Sequence, residues 1–148
     1  MKLCSACLLG IKRRYDGKSK PDKKVINLAK KEILIPVCPE QLGGLPTPRV
    51  PQEIQGCSGE KVLDKECGVM NKKGKDVTKQ FIRGAYETLK IAKIISIKEF
   101  IAKQKSPSCG YGKIHDGTFS GRLIKGDGVT AALLKRNGIK VITEEDLK

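Results

Sequence analysis

The feature that most constrains this chain is an apolar, β-branched run that ends on a thiol, a proline and a carboxylate: residues 33–37, Ile-Leu-Ile-Pro-Val, followed by Cys38-Pro39-Glu40. A short apolar run of this kind reads as a buried strand. Pro39 stops the strand, and a metal ligand and an acid/base group stand two residues apart at its end. The pattern recurs twice. Leu3-Cys4-Ser5-Ala6-Cys7 closes an N-terminal strand with a thiol, and Phe100-Ile101-Ala102 runs into Ser106-Pro107-Ser108-Cys109-Gly110. Sites in open α/β sheets form outside the carboxyl ends of the strands. Cys7, Cys38 and Cys109, far apart in sequence, can therefore meet at one edge.

The remaining segments alternate in the same sense. Residues 2–6 read as the first strand, and Arg13-Arg14-Tyr15-Asp16-Gly17 as a polar loop with a turn at Asp16-Gly17. Pro21 is expected to open a helix with Val25, Leu28 and Ala29 on its apolar stripe. After the strand at 33–37, the glycines and prolines of residues 43–51 exclude helix and central strand and give a stiff, shaped loop. Val62-Leu63-Asp64 and Gly68-Val69-Met70 are expected to pair as a small ribbon. Asp76 should cap a long helix reaching about Ile94, with Phe81, Ala85, Leu89 and Ala92 on one face and Phe81 and Tyr86 in the core. Residues 97–102 read as the third strand and 106–126 as a long irregular segment. Asp127 should cap a helix closed by Asn137-Gly138, and residues 139–142 form the last strand. The order predicts a single domain over residues 1–148. Its expected fold class is a three-layer α/β/α fold with an open, mostly parallel, Rossmann-like sheet.

No apolar run is long enough to span a membrane, and the start is too polar for a signal peptide, so a cytoplasmic protein is expected. In a reducing compartment, six spaced cysteines point to metal or catalysis rather than disulfides. The formal charge of +14 suits an anionic ligand or, equally, a lysine-rich solvated surface. No Arg-rich block or aromatic-interleaved basic stripe is present, which disfavours a dedicated RNA-binding module.

Cys7, Cys38 and Cys109 are spaced neither as a ferredoxin run nor as the Cys-x-x-Cys pairs of a zinc ribbon. Three thiolates suit an iron–sulfur cluster with one unligated iron or a three-thiolate zinc, and spacing alone leaves both open. Cys4, facing away from Cys7 on an extended strand, reads as a core residue. Cys57 and Cys67 are free thiols or an incidental pair, with no assigned role. Glu40 is placed to be a general base. Ser106 and Ser108 flank Cys109 and can hydrogen-bond sulfur or a substrate carbonyl. Arg14, Lys20 and Arg49 are placed to hold a phosphate. The lone His115 reads as a loop residue.

Taken together, Ser5-Ala6-Cys7-Leu8-Leu9-Gly10, Arg14-Tyr15-Asp16-Gly17, Pro36-Val37-Cys38-Pro39-Glu40, Gly43-Gly44-Leu45-Pro46-Thr47-Pro48-Arg49, Ser106-Pro107-Ser108-Cys109-Gly110, Asp116-Gly117-Thr118-Phe119-Ser120-Gly121 and Gly126-Asp127-Gly128-Val129 resemble the thiouracil desulfidase family over nearly the whole chain. The resemblance implies a [4Fe-4S] cluster held by Cys7, Cys38 and Cys109, with one iron not ligated by protein. It implies Glu40 and Ser106 as catalytic residues. The implied reaction is non-redox removal of sulfur from 4-thiouracil or 4-thiouridine monophosphate, giving uracil or its nucleotide and hydrosulfide. The expected partner is a small thiolated pyrimidine or its nucleotide, with tRNA less favoured and no membrane. The rivals are a non-enzymatic cluster or sulfur carrier in tRNA thiolation and a basic RNA-binding module with a three-thiolate zinc. Three positions depart from the family pattern: Arg13 where many members have a cysteine, Val50 where a second proline is frequent, and Cys4 where an aliphatic residue is usual.

Overall fold

The computed structural model describes residues 1–12, 16 and 19–148. Strand β1 (Lys2–Ser5) leads into a 3₁₀ turn, Ala6–Leu9, that carries Cys7. Helix α1 (Lys23–Ala29), strand β2 (Leu34–Val37), helix α2 (Pro39–Leu42), strand β3 (Gln52–Ile54), helix α3 (Gly59–Leu63) and strand β4 (Val69–Asn71) follow. Then come helix α4 (Thr78–Ile94), strand β5 (Glu99–Ala102), strands β6 (Lys113–His115) and β7 (Leu123–Lys125), helix α5 (Val129–Arg136) and strand β8 (Lys140–Thr143).

The central sheet has the order β2-β1-β5-β8, and every pairing is parallel. Helices surround it, as expected for the α/β class. The chain runs outward from β1 to β2 and returns to the other side of β1 at β5, so the strand order reverses between β1 and β5. Alternate residues of β1 face different cores. Leu3 packs with Phe81, Phe100 and Leu134 under α4 and α5, whereas Cys4 packs with Leu8, Val25 and Ile101 under α1. A parallel sheet buried on both faces needs this double apolar supply. Pro36 is tolerated in β2 because that strand is an edge of the sheet.

Helix α2 is only one turn long and is held by α4. A Cβ on Gly84 would fall on the carbonyl oxygen of Pro39, and one on Gly43 would fall on that of Gln80. The two backbones touch with no side chain between them, and this fixes the turn that carries Cys38 and Glu40.

Several expectations are corrected in detail. Pro21 stands before α1 rather than inside it; Asp22 is the N-cap, accepting from the amides of Lys24 and Val25 at 2.9 and 3.1 Å. Residues 62–64 do not pair as a strand. Val62 and Leu63 end α3, with Val62 fully buried, and β4 pairs antiparallel with β3. Tyr86 is 53% exposed and not core. Asp127 does not cap α5, whose N-cap is Gly128; its carboxylate accepts from the Gly112 amide at 2.8 Å and pairs with Lys135 at 2.8 Å. The irregular 106–126 segment contains the β6–β7 ribbon. Of the two readings left open for Cys57 and Cys67, the pair holds: they are joined as a disulfide. Asp76 does satisfy the start of α4, accepting from the Thr78 amide at 2.8 Å.

Candidate active site

The thiols of interest arrive at one place because their strands end there. Cys7 follows β1, Cys38 follows β2 and Cys109 follows β5, and all three line a single cavity of ≈ 340 Å³ at the carboxyl edge of the sheet. The cavity straddles the reversal of strand order, where open α/β sheets leave a crevice. Cys4, one residue into the opposite face, is in the core and does not line it.

Each thiol is desolvated. Burial pushes the Cys109 thiol up to about 12, with the Ser5 hydroxyl the strongest influence in the other direction. Burial raises Cys38 too, countered by the backbone amides of Gln41 and Glu40 at the opening of α2. Such thiols are reluctant to ionise alone, and a bound positive charge would reverse that preference. Among the described residues no three His, Cys, Asp or Glu side chains converge as one metal ion would require. Three soft thiol donors spread around a shared cavity fit an iron–sulfur cluster, which takes each thiolate on a different iron.

Glu40 is the carboxylate of this cavity. It sits in the first turn of α2 and is 9% exposed. Its Oε1 accepts from Arg49 Nε at 2.8 Å, and its Oε2 accepts from the Ser108 hydroxyl at 3.1 Å. Ser108 Oγ is in turn 3.1 Å from Ser106 Oγ and 3.5 Å from Cys109 Sγ. The directions follow from the donors. Ser106 Oγ already accepts the amides of Ser108 and Cys109 at 3.2 and 3.1 Å, so its proton points to Ser108, and the proton of Ser108 points to Glu40. The start of α5 clamps this turn from behind: the amides of Val129 and Thr130 donate to the carbonyls of Pro107 and Ser108 at 2.9 and 2.8 Å.

The profile of the 2-thiouracil desulfurase family matches residues 3–146. The chain belongs to the 2-thiouracil desulfurase family. The protein YbbK of Bacillus subtilis (strain 168) is 47% identical over 147 residues, covering 99% of this chain and 97% of that one. The solved structure of the [4Fe-4S]-dependent thiouracil desulfidase TudS is 41% identical, covers 99% of this chain and 91% of that chain, and matches with a TM-score of 0.86.

In this member of the 2-thiouracil desulfurase family, Cys7, Cys38, Cys109, Glu40, Ser106, Ser108, Lys20 and Arg49 all border the same cavity. Arg14 lies outside the described residues. Lys20 is brought in by its amide, which donates to the Cys7 carbonyl at 3.1 Å. Arg49 faces Glu40 rather than open solvent, its side chain only 5% exposed. The cavity also has walls not assigned from the sequence. Ser5, buried at the end of β1, accepts the Lys103 amide at 2.9 Å. Glu53 accepts the amides of Gly117 and Phe119 at 2.9 and 3.2 Å and thereby ties the Asp116–Gly121 motif to β3. Gln104 and Lys105 border the cavity, and His115, read as a loop residue, borders it from β6. Neither Glu53 nor His115 carries a local signal in the sequence, since each reaches the cavity through the return of a distant loop. No helix among the described residues is long and apolar enough to cross a membrane.

Proposed function

We propose that this protein hydrolyses the C–S bond of a thiolated pyrimidine, 4-thiouracil or its nucleoside monophosphate, giving uracil or its nucleotide and hydrosulfide. Cys7, Cys38 and Cys109 would hold a [4Fe-4S] cluster. When bound, that cluster supplies an iron not ligated by protein, a soft Lewis acid for the thiocarbonyl sulfur. The observation that carries the reading is the convergence of three strand-end thiols and one oriented carboxylate on a single cavity.

The rest of the chemistry falls to the chain. Glu40 takes a proton from water, and the water oxygen forms a bond to the ring carbon. As the C–S bond breaks, the proton of the added hydroxyl passes to sulfur, the carbonyl forms and sulfur departs as hydrosulfide, while Glu40 returns its proton to solvent, so no electrons are exchanged. Ser106 and Ser108 keep Glu40 Oε2 supplied with a hydrogen bond and hold the loop bearing Cys109. Lys20 and Lys105, on the cavity rim, favour an anionic substituent on the substrate. A carrier of clusters or sulfur has no use for a carboxylate held from both sides beside the thiols, which favours the enzyme. The test is anaerobic reconstitution followed by an assay of hydrosulfide release from 4-thiouracil and its monophosphate. Multiple turnovers support the reading; stoichiometric release or none rejects it.

A further inference from the structure

The loop of residues 43–51 ends at Arg49, and its sequence suggests a phosphate grip. The geometry points to another role: we propose that Arg49 is the positioning residue of Glu40. This rests on Glu40 acting as the base of the desulfidase reading. The Arg49 side chain is 5% exposed and that of Glu40 is 11%. The guanidinium is braced on two sides. Nε donates to Glu40 Oε1 at 2.8 Å, while Nη1 donates to the Pro46 carbonyl and to Thr47 Oγ1, each at 3.1 Å. Thr47 Oγ1 also receives Gln41 Nε2, from the helix that carries Glu40. The loop and α2 are therefore stitched together through Arg49.

The two carboxylate oxygens have separate holders, Arg49 on Oε1 and Ser108 on Oε2. Two fixed donors set both the position and the plane of the carboxylate. A carboxylate held at one oxygen only can rotate about its last bond. A flat, forked guanidinium suits this task, and an ammonium, as a point charge, does not. Nε and Nη1 are both engaged in this way, and a phosphate that drew the guanidinium off Glu40 would leave Oε1 without its charged partner in a desolvated site, a costly exchange. Arg49 thus acts through Glu40 on the water, and leaves the substrate's phosphate to the exposed lysines of the rim.

The test is a cycle of Arg49→Gln, Glu40→Gln and the double variant, read with both the neutral base and the monophosphate. Arg49→Gln should keep its iron and sulfide content and its KM for both substrates, and lose kcat by about 10²-fold, the cost typical of a misplaced catalytic group. In the Glu40→Gln background, adding Arg49→Gln should cost nothing more, because both act through one group. Arg49→Lys should recover little, and guanidinium ion should restore part of the rate of Arg49→Ala. A raised KM for the monophosphate alone, or a full Arg49 effect on top of Glu40→Gln, overturns the proposal. If Arg49→Gln does not fold, Arg49→Lys carries the test, and wild-type kcat in it overturns the proposal. Thermal unfolding of the cluster-free variants gives a readout independent of turnover: the two substitutions should be non-additive there. An inactive wild type sinks the desulfidase reading, whereas additive unfolding shifts sink the Arg49–Glu40 coupling itself.

Discussion

Ser106 and Ser108 are two residues apart, yet their hydrogen bonds assign them different work, and alanine substitutions should separate it. Ser108 is buried and its proton goes to Glu40 Oε2 at 3.1 Å. A hydrogen bond to a charged group contributes about 1.5–3 kcal/mol. At about 1.4 kcal/mol per tenfold in rate, Ser108→Ala should lower kcat by about 10- to 10²-fold if the bond is fully used in the transition state. Its folded stability should change less, since Arg49 still holds the other oxygen. Ser106 is the reverse case. Its Oγ is the acceptor for the amides of Ser108 and Cys109. Ser106→Ala leaves two donors in a tight turn without that partner, at about 1–3 kcal/mol for each that water does not reach. Ser106→Ala should therefore lower both the melting temperature and cluster content, whereas Ser108→Ala should lower turnover with iron and sulfide intact. The assay pairs thermal unfolding of cluster-free protein with hydrosulfide release after anaerobic reconstitution. Wild-type kcat in Ser108→Ala, or wild-type stability in Ser106→Ala, would refute these assigned directions.

Cys7→Ser, Cys38→Ser and Cys109→Ser should each lose iron and sulfide after reconstitution, while Cys4→Ser, Cys57→Ser and Cys67→Ser should keep a visible cluster absorbance. Glu40→Gln should keep the cluster and bind substrate but turn over about 10²–10⁴-fold more slowly, as measured by single-turnover sulfide release. Gly84→Ala puts a methyl on the Pro39 carbonyl and should destabilise the fold by about 1–3 kcal/mol in denaturant titration, with loss of activity because α2 is displaced. The Thr78 hydroxyl and amide hold the Asp76 carboxyl below the usual carboxylate range. Its stabilisation of α4 is therefore complete above about pH 4 and fades as pH falls through the lowered value, so Asp76→Ala should cost about 1 kcal/mol at neutral pH and almost nothing in strong acid.

The sheet was legible in the sequence because each of its strands carries a short apolar run, and a run ending in Cys-Pro-Glu or Ala-Cys advertises its end. The thiols' convergence followed from topology alone. What was hidden are contacts that depend on how loops return. The segment at residues 52–54, polar at Gln52 and Glu53 and preceded by Pro51, gives no strand signal, yet it pairs with β4 because Ile54 is buried in the core. Residues 62–64 carry the apolar residues of a strand and form a helix end, since two apolar residues fix no period. Asp127 looked like a cap, but a nearby amide and Lys135 outcompete the helix for it. Arg49 shows its charge in the sequence and conceals its partner, because nothing local states that the loop folds back on the carboxylate nine residues earlier.

The order in which the chain is made bears on how the cavity is completed. Two of the cavity's thiols emerge within the first 38 residues, but the third follows β5, and its turn is clamped by amides from the start of α5, Gly128 to Ala131. A growing polypeptide therefore exposes Cys7 and Cys38 long before the wall that closes over them exists. The central strands β1 and β5 also pair across most of the sequence, a slow, high-separation contact. On the proposed reading, a cluster held by these three thiols would have to be inserted into the finished chain and not into the nascent one.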